Sequence, residues 1–345
     1  MSQQLEIGGS LEVLNRVKAT VLVVAVTTSA LLHVSCRNPS SGGRYPVRPI
    51  EFIVAGGPGG GLDIIARTVD DAARREQLGA TFLIANRDGG GGNVARAYLG
   101  SKKGDDHVLL CESNRVWLSE LMGTTAQGIE STTPLARLTN DALLWVVRAD
   151  SKFQNAQGVI DAVKRDPDSV AFGVGTIPSD DQFNILRPLR ASGVDISRLK
   201  MAAFRSGGDL MINLLGGHVD VVSASFSEAE GQAAAGRVRM LATASAVRMA
   251  GAIGSSVPTW RELGVDVTVT HWRGVFGPPG MSPEAVRYWD DYFSKLVKTD
   301  AWKAALARIG QEDAYLGSEA FKTALVEERE LNKPFVAAFA SQDSK

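Results

Sequence analysis

The sequence predicts an α/β protein of two lobes, and three observations carry that prediction. Apolar runs of strand length alternate with helical periodicity in two separate blocks of the chain. Each block has glycine-rich turns where a strand hands over to a helix, the grammar of a parallel sheet flanked by helices. A long helical tail then follows both blocks.

The first block opens with "IEFIVA" at Ile50, a strand, followed by the turn "GGPGGG". The next segment, "LDIIARTVDDAARREQLG", puts Ile64, Ile65, Thr68, Val69 and Ala72 on one helical face. "TFLIAN", a second glycine turn in "NRDGGGGNVAR", the helix "NVARAYLGSKK" and the strand "HVLLCES" complete a β-α-β-α-β unit. The second block repeats the pattern with the strands "SVAFGVG", "LKMAAF", "VDVVSASF" and "RVRMLATAS". From Ser282 the chain is mostly helical. Three strands make a small, poorly covered sheet, so the tail is expected to complete the first lobe. Lobe 1 is therefore drawn as 47–146 plus 269–345 and lobe 2 as 147–268, with the chain crossing near 147 and near 268. Ligands in such folds sit beyond the carboxyl ends of the strands, which puts the glycine turns at a cleft between the lobes.

Residues 1–35 read as an export signal: Arg16 and Lys18 precede an uncharged apolar stretch from Ala19, short for a membrane span of roughly 20 residues. A retained signal anchor is the competing reading, and residues 36–46 are taken as a linker. Cys36 follows a small residue, as at a lipoprotein cleavage site, but His33 stands where that motif carries Leu. Lipidation of Cys36 and ordinary cleavage nearby both stay open. The second cysteine, Cys111, lies in an apolar strand and reads as a small buried hydrophobe.

Composition and motifs narrow the function. Lys plus Arg number 37 against 38 for Asp plus Glu, so nothing electrostatic points to nucleic acid. Gly56 and Gly61 have the spacing of a phosphate-binding loop, but Leu62 and Asp63 stand where it needs Lys and Ser or Thr. The dinucleotide pattern fails too, at its third glycine. His107, His218 and His271 are scattered, and no H-E-x-x-H, C-x-x-C or G-x-S-x-G is present. Neither catalytic residues nor a metal or other cofactor is expected, although an enzyme acting on a small carboxylate is kept as a third reading. What the turns do offer is free backbone N–H groups at helix starts, suited to a carboxylate. There are four such turns, the later two being "GVGTIPSDDQ" and "FRSGGDLMINLLGG".

Several segments, in order, carry a family likeness: "YPVRPIEFIVAGGPGGGLDIIAR", "ANRDGGGGN", "LLGGHVDVV", "AAGRVRMLATAS", "VPTWRELGV" and "WRGVFGPPGMSPEAV". From about Tyr45 to the C-terminus the chain resembles the periplasmic solute receptors of tripartite tricarboxylate transporters, the Bug family. The resemblance implies a two-lobed type II periplasmic binding protein, or Venus flytrap, each lobe a mainly parallel sheet flanked by helices. It implies an exported, non-catalytic protein, expected as a monomer. Its partners would be a small organic acid, held by one carboxylate, and the subunits of a membrane transporter. Carried over onto this chain, the first-lobe contacts are Pro58, Gly59, Gly60, Gly61 and Asp63, with Ser113 and Asn114 after the third strand. The second-lobe contacts are Phe204, Arg205, Ser206 and Gly207, together with Thr176, Ser179 and Asp180 in the "GVGTIPSDDQ" turn. Departures exist: Ala55-Gly56-Gly57 replaces an aromatic-proline approach, and "CESN" is more polar than the family's turn. Asp63 reads first as a helix cap, with a ligand or water contact as the alternative; Asp180 reads as a helix cap ahead of a ligand contact, Arg205 equally as a salt-bridge partner, and Trp272 as hinge packing ahead of ligand stacking. A related receptor that feeds a signalling partner is the runner-up function.

Overall fold

The computed structural model describes residues 45–340, and every element below belongs to the unit that begins at Arg48. The expected export signal, Cys36 and the linker up to residue 44 lie outside the described residues.

Two sheets are built from the two blocks. In the first, β1 (Ile50–Val54) lies between β2 (Phe82–Asn86) and β3 (Val108–Glu112), parallel to both. Three strands the sequence did not announce extend it: β10 (Trp272–Gly277) runs antiparallel to β3, β4 (Thr133–Asn140) antiparallel to β10, and β11 (Glu312–Gly317) antiparallel to β4. The second sheet has the order β7 (Met201–Ala203), β6 (Phe172–Val174), β8 (Val221–Ser225), β5 (Leu143–Arg148), β9 (Val238–Thr243). Here β6 pairs parallel with β7 and β8, and β5 antiparallel with β8 and β9. The two-lobed α/β class stands, and each sheet is mixed: most of its strands share one direction, with β10 and β11 in the first and β5 in the second running against them. The reason is the crossing itself. β10 and β5 each enter a sheet from the side on which its parallel strands end, so each must run against them.

Only Asp141 and Ala142 separate β4 in the first sheet from β5 in the second. The passage therefore lies upstream of the expected 147, which would cut β5 in two. The return strand meets the outgoing one here: the Asp141 N–H donates to the His271 carbonyl at 2.8 Å.

Helices cover both sheets. In the first block they are α1 (Gly61–Arg75), α2 (Asn93–Ser101) and α3 (Arg115–Leu121). α1 is reinforced along its length by three Asp-to-Arg pairs at i,i+4, namely Asp63–Arg67, Asp70–Arg74 and Asp71–Arg75. In the second block come α4 (Ala156–Arg165), α5 (Asp180–Ala191), α6 (Gly207–Leu215), α7 (Phe226–Ala234) and the single turn α8 (Gly251–Gly254). The tail folds as α9 (Pro283–Leu296), α10 (Asp300–Ile309) and α11 (Ser318–Ala340). Ser282 caps α9 ahead of Pro283, and Thr299 caps α10, which stops at the left-handed Gly310.

The tail packs on the first sheet. Trp289 and Tyr292 of α9 lie against Phe82, and Phe321 of α11 meets the Trp272 ring edge-on at 5.1 Å. Each such buried aromatic is worth about 3–5 kcal/mol against truncation to alanine. The second lobe has its own core, where Trp145 meets Trp260 edge-on at 4.7 Å and donates Nε1–H to the Asn184 carbonyl. Cys111 is buried, its thiol pushed up by burial and set against the Leu62 carbonyl, so it is an inert core residue. Among the described residues no helix is long and apolar enough to cross a membrane.

Glu328 of α11 ties the tail to the sheet, accepting from Trp272 Nε1 at 2.6 Å and from Trp117 Nε1 at 3.3 Å. Burial raises its carboxyl to about 7, a rise that the Trp272 bond moderates. A carboxyl raised on folding stabilises below its unfolded value, and that stability is lost as pH rises through the folded value. Glu328→Gln keeps an acceptor for Trp272 and should flatten the decline of Tm between about pH 5 and pH 8, as measured by thermal melts across that range.

Candidate functional site

The first lobe presents two glycine turns, and a buried ion triad holds both. Glu112, at the end of β3, is fully buried between Arg96 and Arg115. Its Oε2 accepts from Arg96 Nη1 at 2.7 Å, and its Oε1 from Arg115 Nη2 at 2.8 Å. Each arginine then reaches one turn. Arg115 Nη2 donates to the Ala55 carbonyl at 2.5 Å, at the entry to "GGPGGG", and Arg96 Nη2 donates to the Gly91 carbonyl at 3.0 Å. Gly92, at φ +90°, has no room for a side chain because a methyl there would lie 2.6 Å from Glu112 Oε2. The unusual charge of "CESN" is thus consumed internally, and it makes the turns rigid.

The first turn ends at α1. Asp63 is not the cap of this helix: the N-cap residue is Gly60, which has no side chain to serve as one. Asp63 instead reaches back to the Gly59 N–H at 3.0 Å and also accepts from Arg67 and Asn86. Burial alone would raise this carboxyl, but the Arg67, Gly59 and Asn86 bonds outweigh it and hold it below its usual value. Asn86 also donates to the Gly56 carbonyl, so Asp63 and Asn86 together pin the loop from beneath.

The second-lobe turns face it. Ser179 caps α5, with its hydroxyl on the Thr176 carbonyl at 2.6 Å, and Ser206 caps α6. The two lobes approach so closely that any side chain would press on the facing turn: a methyl on Gly57 would lie 3.1 Å from Ser206 Cβ, and one on Gly208 would lie 3.0 Å from the Pro58 carbonyl oxygen. Between the turns is a cavity of about 50 Å³. An outer cavity of about 400 Å³ shares Gly56, Arg115, Thr176 and Arg205 with it.

Of the expected contacts, Gly60, Gly61, Ser113, Thr176, Ser179, Arg205, Ser206 and Gly207 line the inner cavity. The others do not. Pro58 and Gly59 are exposed on the rim, and Asp63 lies behind the turn. Phe204 packs on the second-lobe core and borders only the outer cavity. Asn114 is buried, with its amide toward the Thr270 carbonyl. Asp180 is the first residue of α5 rather than its cap and meets His271 Nδ1 at 2.9 Å. Arg205 lines both cavities but is bonded to Asp209 at 2.6 Å, the salt bridge that its sequence spacing also allows.

Other lining groups were missed: Arg115, Asp181, Glu228, His271 and Arg273. His271 and Arg273 have a legible signal, because extended-chain alternation from His271 into β10 sends them to one face and Trp272 to the other, against α11. Glu228 carries a signal of a different role. Its S-x-x-E spacing from Ser225 is a capping box, which the structure contains. Yet Glu228 Oε1 also crosses to the first lobe and accepts the Gly61 N–H at 2.6 Å.

The electrostatics are mixed. Burial and, after it, neighbouring Glu228 raise Asp181 to about 8; burial raises Glu228 as well, against the pull of Arg273. Asp180 is raised to about 7 by burial, while burial and Arg273 push His271 well below its usual value, leaving a neutral imidazole. Among the described residues no group of three or more His, Cys, Asp or Glu side chains could hold a metal ion. The arrangement can grip a small polar solute between two sets of amides.

With this geometry in hand, the comparisons are specific. The model of the family described as "TctC: Tripartite tricarboxylate transporter family receptor" matches residues 65–339. Protein BugT of Bordetella pertussis is 26% identical over 277 residues, covering 79% of this chain and 83% of that one. Among solved structures, MatC from Rhodopseudomonas palustris with bound malate has a TM-score of 0.76 at 22% identity, covering 85% of this chain and all of that one (100%). A second R. palustris protein, with adipate, has a TM-score of 0.77 at 22% identity, covering 86% and 99%.

Removing the charge of Glu112 would leave two buried guanidinium groups without their shared partner. Glu112→Gln should lower the unfolding free energy by about 3–5 kcal/mol, read from the shift of the urea midpoint at constant m-value.

Proposed function

The chain belongs to the tripartite tricarboxylate transporter receptor family, and from that premise we propose that it is an exported receptor which closes its two lobes around a small organic carboxylate and presents it to a membrane transporter of that type. One observation carries the reading: glycine turns from both lobes meet at van der Waals distance over a cavity lined by Arg115 and Arg273. Arg273 from the first lobe and the Ser206–Gly207 turn from the second supply donors from opposite walls. A ligand touching both walls adds binding free energy to the closed arrangement alone, and this is what drives closure. Charge-assisted bonds of this kind contribute roughly 1.5–3 kcal/mol each, so a few suffice for micromolar capture.

The neighbours with malate and adipate support a carboxylate as the solute class. The cavity pair suits such a molecule, with a carboxylate in the inner space and its body in the outer one. The family is one of receptors, so binding without turnover is the proposed activity. The N-terminal export signal, with or without a lipid on Cys36, belongs to the same proposal.

A thermal-shift panel of mono-, di- and tricarboxylates tests it. A narrow set of acids at saturating concentration should raise Tm by several degrees, as about 100-fold excess over Kd adds roughly 2.7 kcal/mol. Stabilisation by nucleotides alone would reject the proposal. Gly57→Val should keep the apo Tm within a few degrees but abolish the ligand shift, because its side chain would hold the turns apart at Ser206. Full ligand affinity in that variant would show that the turns do not close on the solute.

A further inference from the structure

The two walls of the inner cavity are chemically unlike. The first lobe contributes Arg115 and Arg273, and the second contributes the carboxyls of Asp181 and Glu228. Arg115 is committed to Glu112 and the Ala55 carbonyl. Arg273 is different: it is 5% exposed, its Nη2 lies 3.4 Å from Asp141, and its Nε is buried with no hydrogen-bond partner. A methyl on Gly61 would fall inside this guanidinium, so α1 begins directly against it.

Across the cavity, each carboxyl has one oxygen committed to its own lobe. Asp181 Oδ1 accepts from Ser223 Oγ at 3.1 Å, while its Oδ2 lies beside Gly175 on the cavity wall. Glu228 Oε2 accepts the Ser225 N–H at 3.1 Å, and its Oε1 holds the Gly61 N–H. The chain's own carboxylate therefore takes an α1 amide that a ligand carboxylate would otherwise find free. A solute with carboxylates at both ends would set one of them against this acidic wall, which accepts it only while Asp181 and Glu228 keep their protons.

We infer that Asp181 and Glu228 select a small carboxylic acid that also carries an amino group, with the carboxylate on Arg273 and the ammonium between the two acids. The inference rests on the receptor reading and narrows its solute class. An ammonium brings a second cation, with several N–H donors, to a desolvated site in which Arg273 across the cavity already attracts both carboxyls. Burial still raises Asp181 and Glu228 against that attraction, and the one cation of their own lobe lining the inner cavity, Arg205, is bonded to Asp209.

Titration calorimetry on the full chain with size-matched pairs tests it: succinate against aspartate, glutarate against glutamate, adipate against 2-aminoadipate. At least one amino acid should bind about tenfold or more tightly than its plain counterpart. Glu228→Gln keeps the capping box, which accepts Glu or Gln alike, and should shrink that ratio to about threefold or less; Asp181→Asn should act in the same direction. If the plain acids bind as well as or better than their amino partners, the inference falls and the carboxylate receptor stands. An amino preference unchanged in both variants overturns the assignment to Asp181 and Glu228. Absence of binding by any acid in the pairs and in the carboxylate panel overturns both readings.

Discussion

Glu112 is the point on which the ligand cleft of this protein depends. A carboxylate removed from water costs several kcal/mol unless it is paired and hydrogen-bonded, and here both oxygens are taken by guanidinium groups. The arginines, once fixed, have donors left over, and these go to the Ala55 and Gly91 carbonyls. Two loops that glycine makes locally permissive thereby acquire one conformation each. The glycines supply close approach and the triad supplies rigidity, and neither would build an amide-lined wall alone.

The passage between the lobes obeys a related economy. Asp141 sits in the two-residue step from β4 to β5, where its carboxylate accepts from Ser227 at 2.7 Å and Gln311 at 3.0 Å and meets Arg273 at 3.4 Å. The returning strand bonds to it through the His271 carbonyl. Any rotation of one lobe against the other must pass through this crossing. Arg273 is part of both the crossing and the cavity wall, so a charge arriving in the cavity acts on a residue of the hinge. Glu228 has a comparable double position, capping α7 in its own lobe while bonding α1 in the other. Such residues would give the proposed closure an electrostatic component beyond simple shape.

Much of this was legible beforehand, for definite reasons. The strands of the two blocks were readable because they are apolar runs bounded by glycine, and the long helices because their apolar faces repeat at helical spacing. β4, β5, β10 and β11 were not, since "TPLARLTNDALLWVVR" shows neither clean alternation nor a turn between two strands of different sheets. The glycine turns pointed to a cleft, and Gly60, Gly61, Ser206 and Gly207 do line it. Asp63 was ambiguous because the same i,i+4 spacing and helix-start position serve a cap, a loop tie or a ligand contact. Asp180 and Asp181 are adjacent, yet one faces His271 and the other the cavity.

By itself, the sequence determined the α/β lobes, the glycine turns at strand ends, the absence of phosphate-loop chemistry and the family likeness. All of these follow from residue type and short-range spacing, which act before distant segments meet. The tertiary structure alone decided the mixed strand directions, the Arg96–Glu112–Arg115 triad and the meeting of Asp181, Glu228 and Arg273 in one cavity. Glu228 and Gly61 are 167 positions apart, and no local pattern encodes a bond over that distance. The cost of a buried charge is set by whatever surrounds it in space, and that environment exists only once both lobes have folded and the chain has crossed between them.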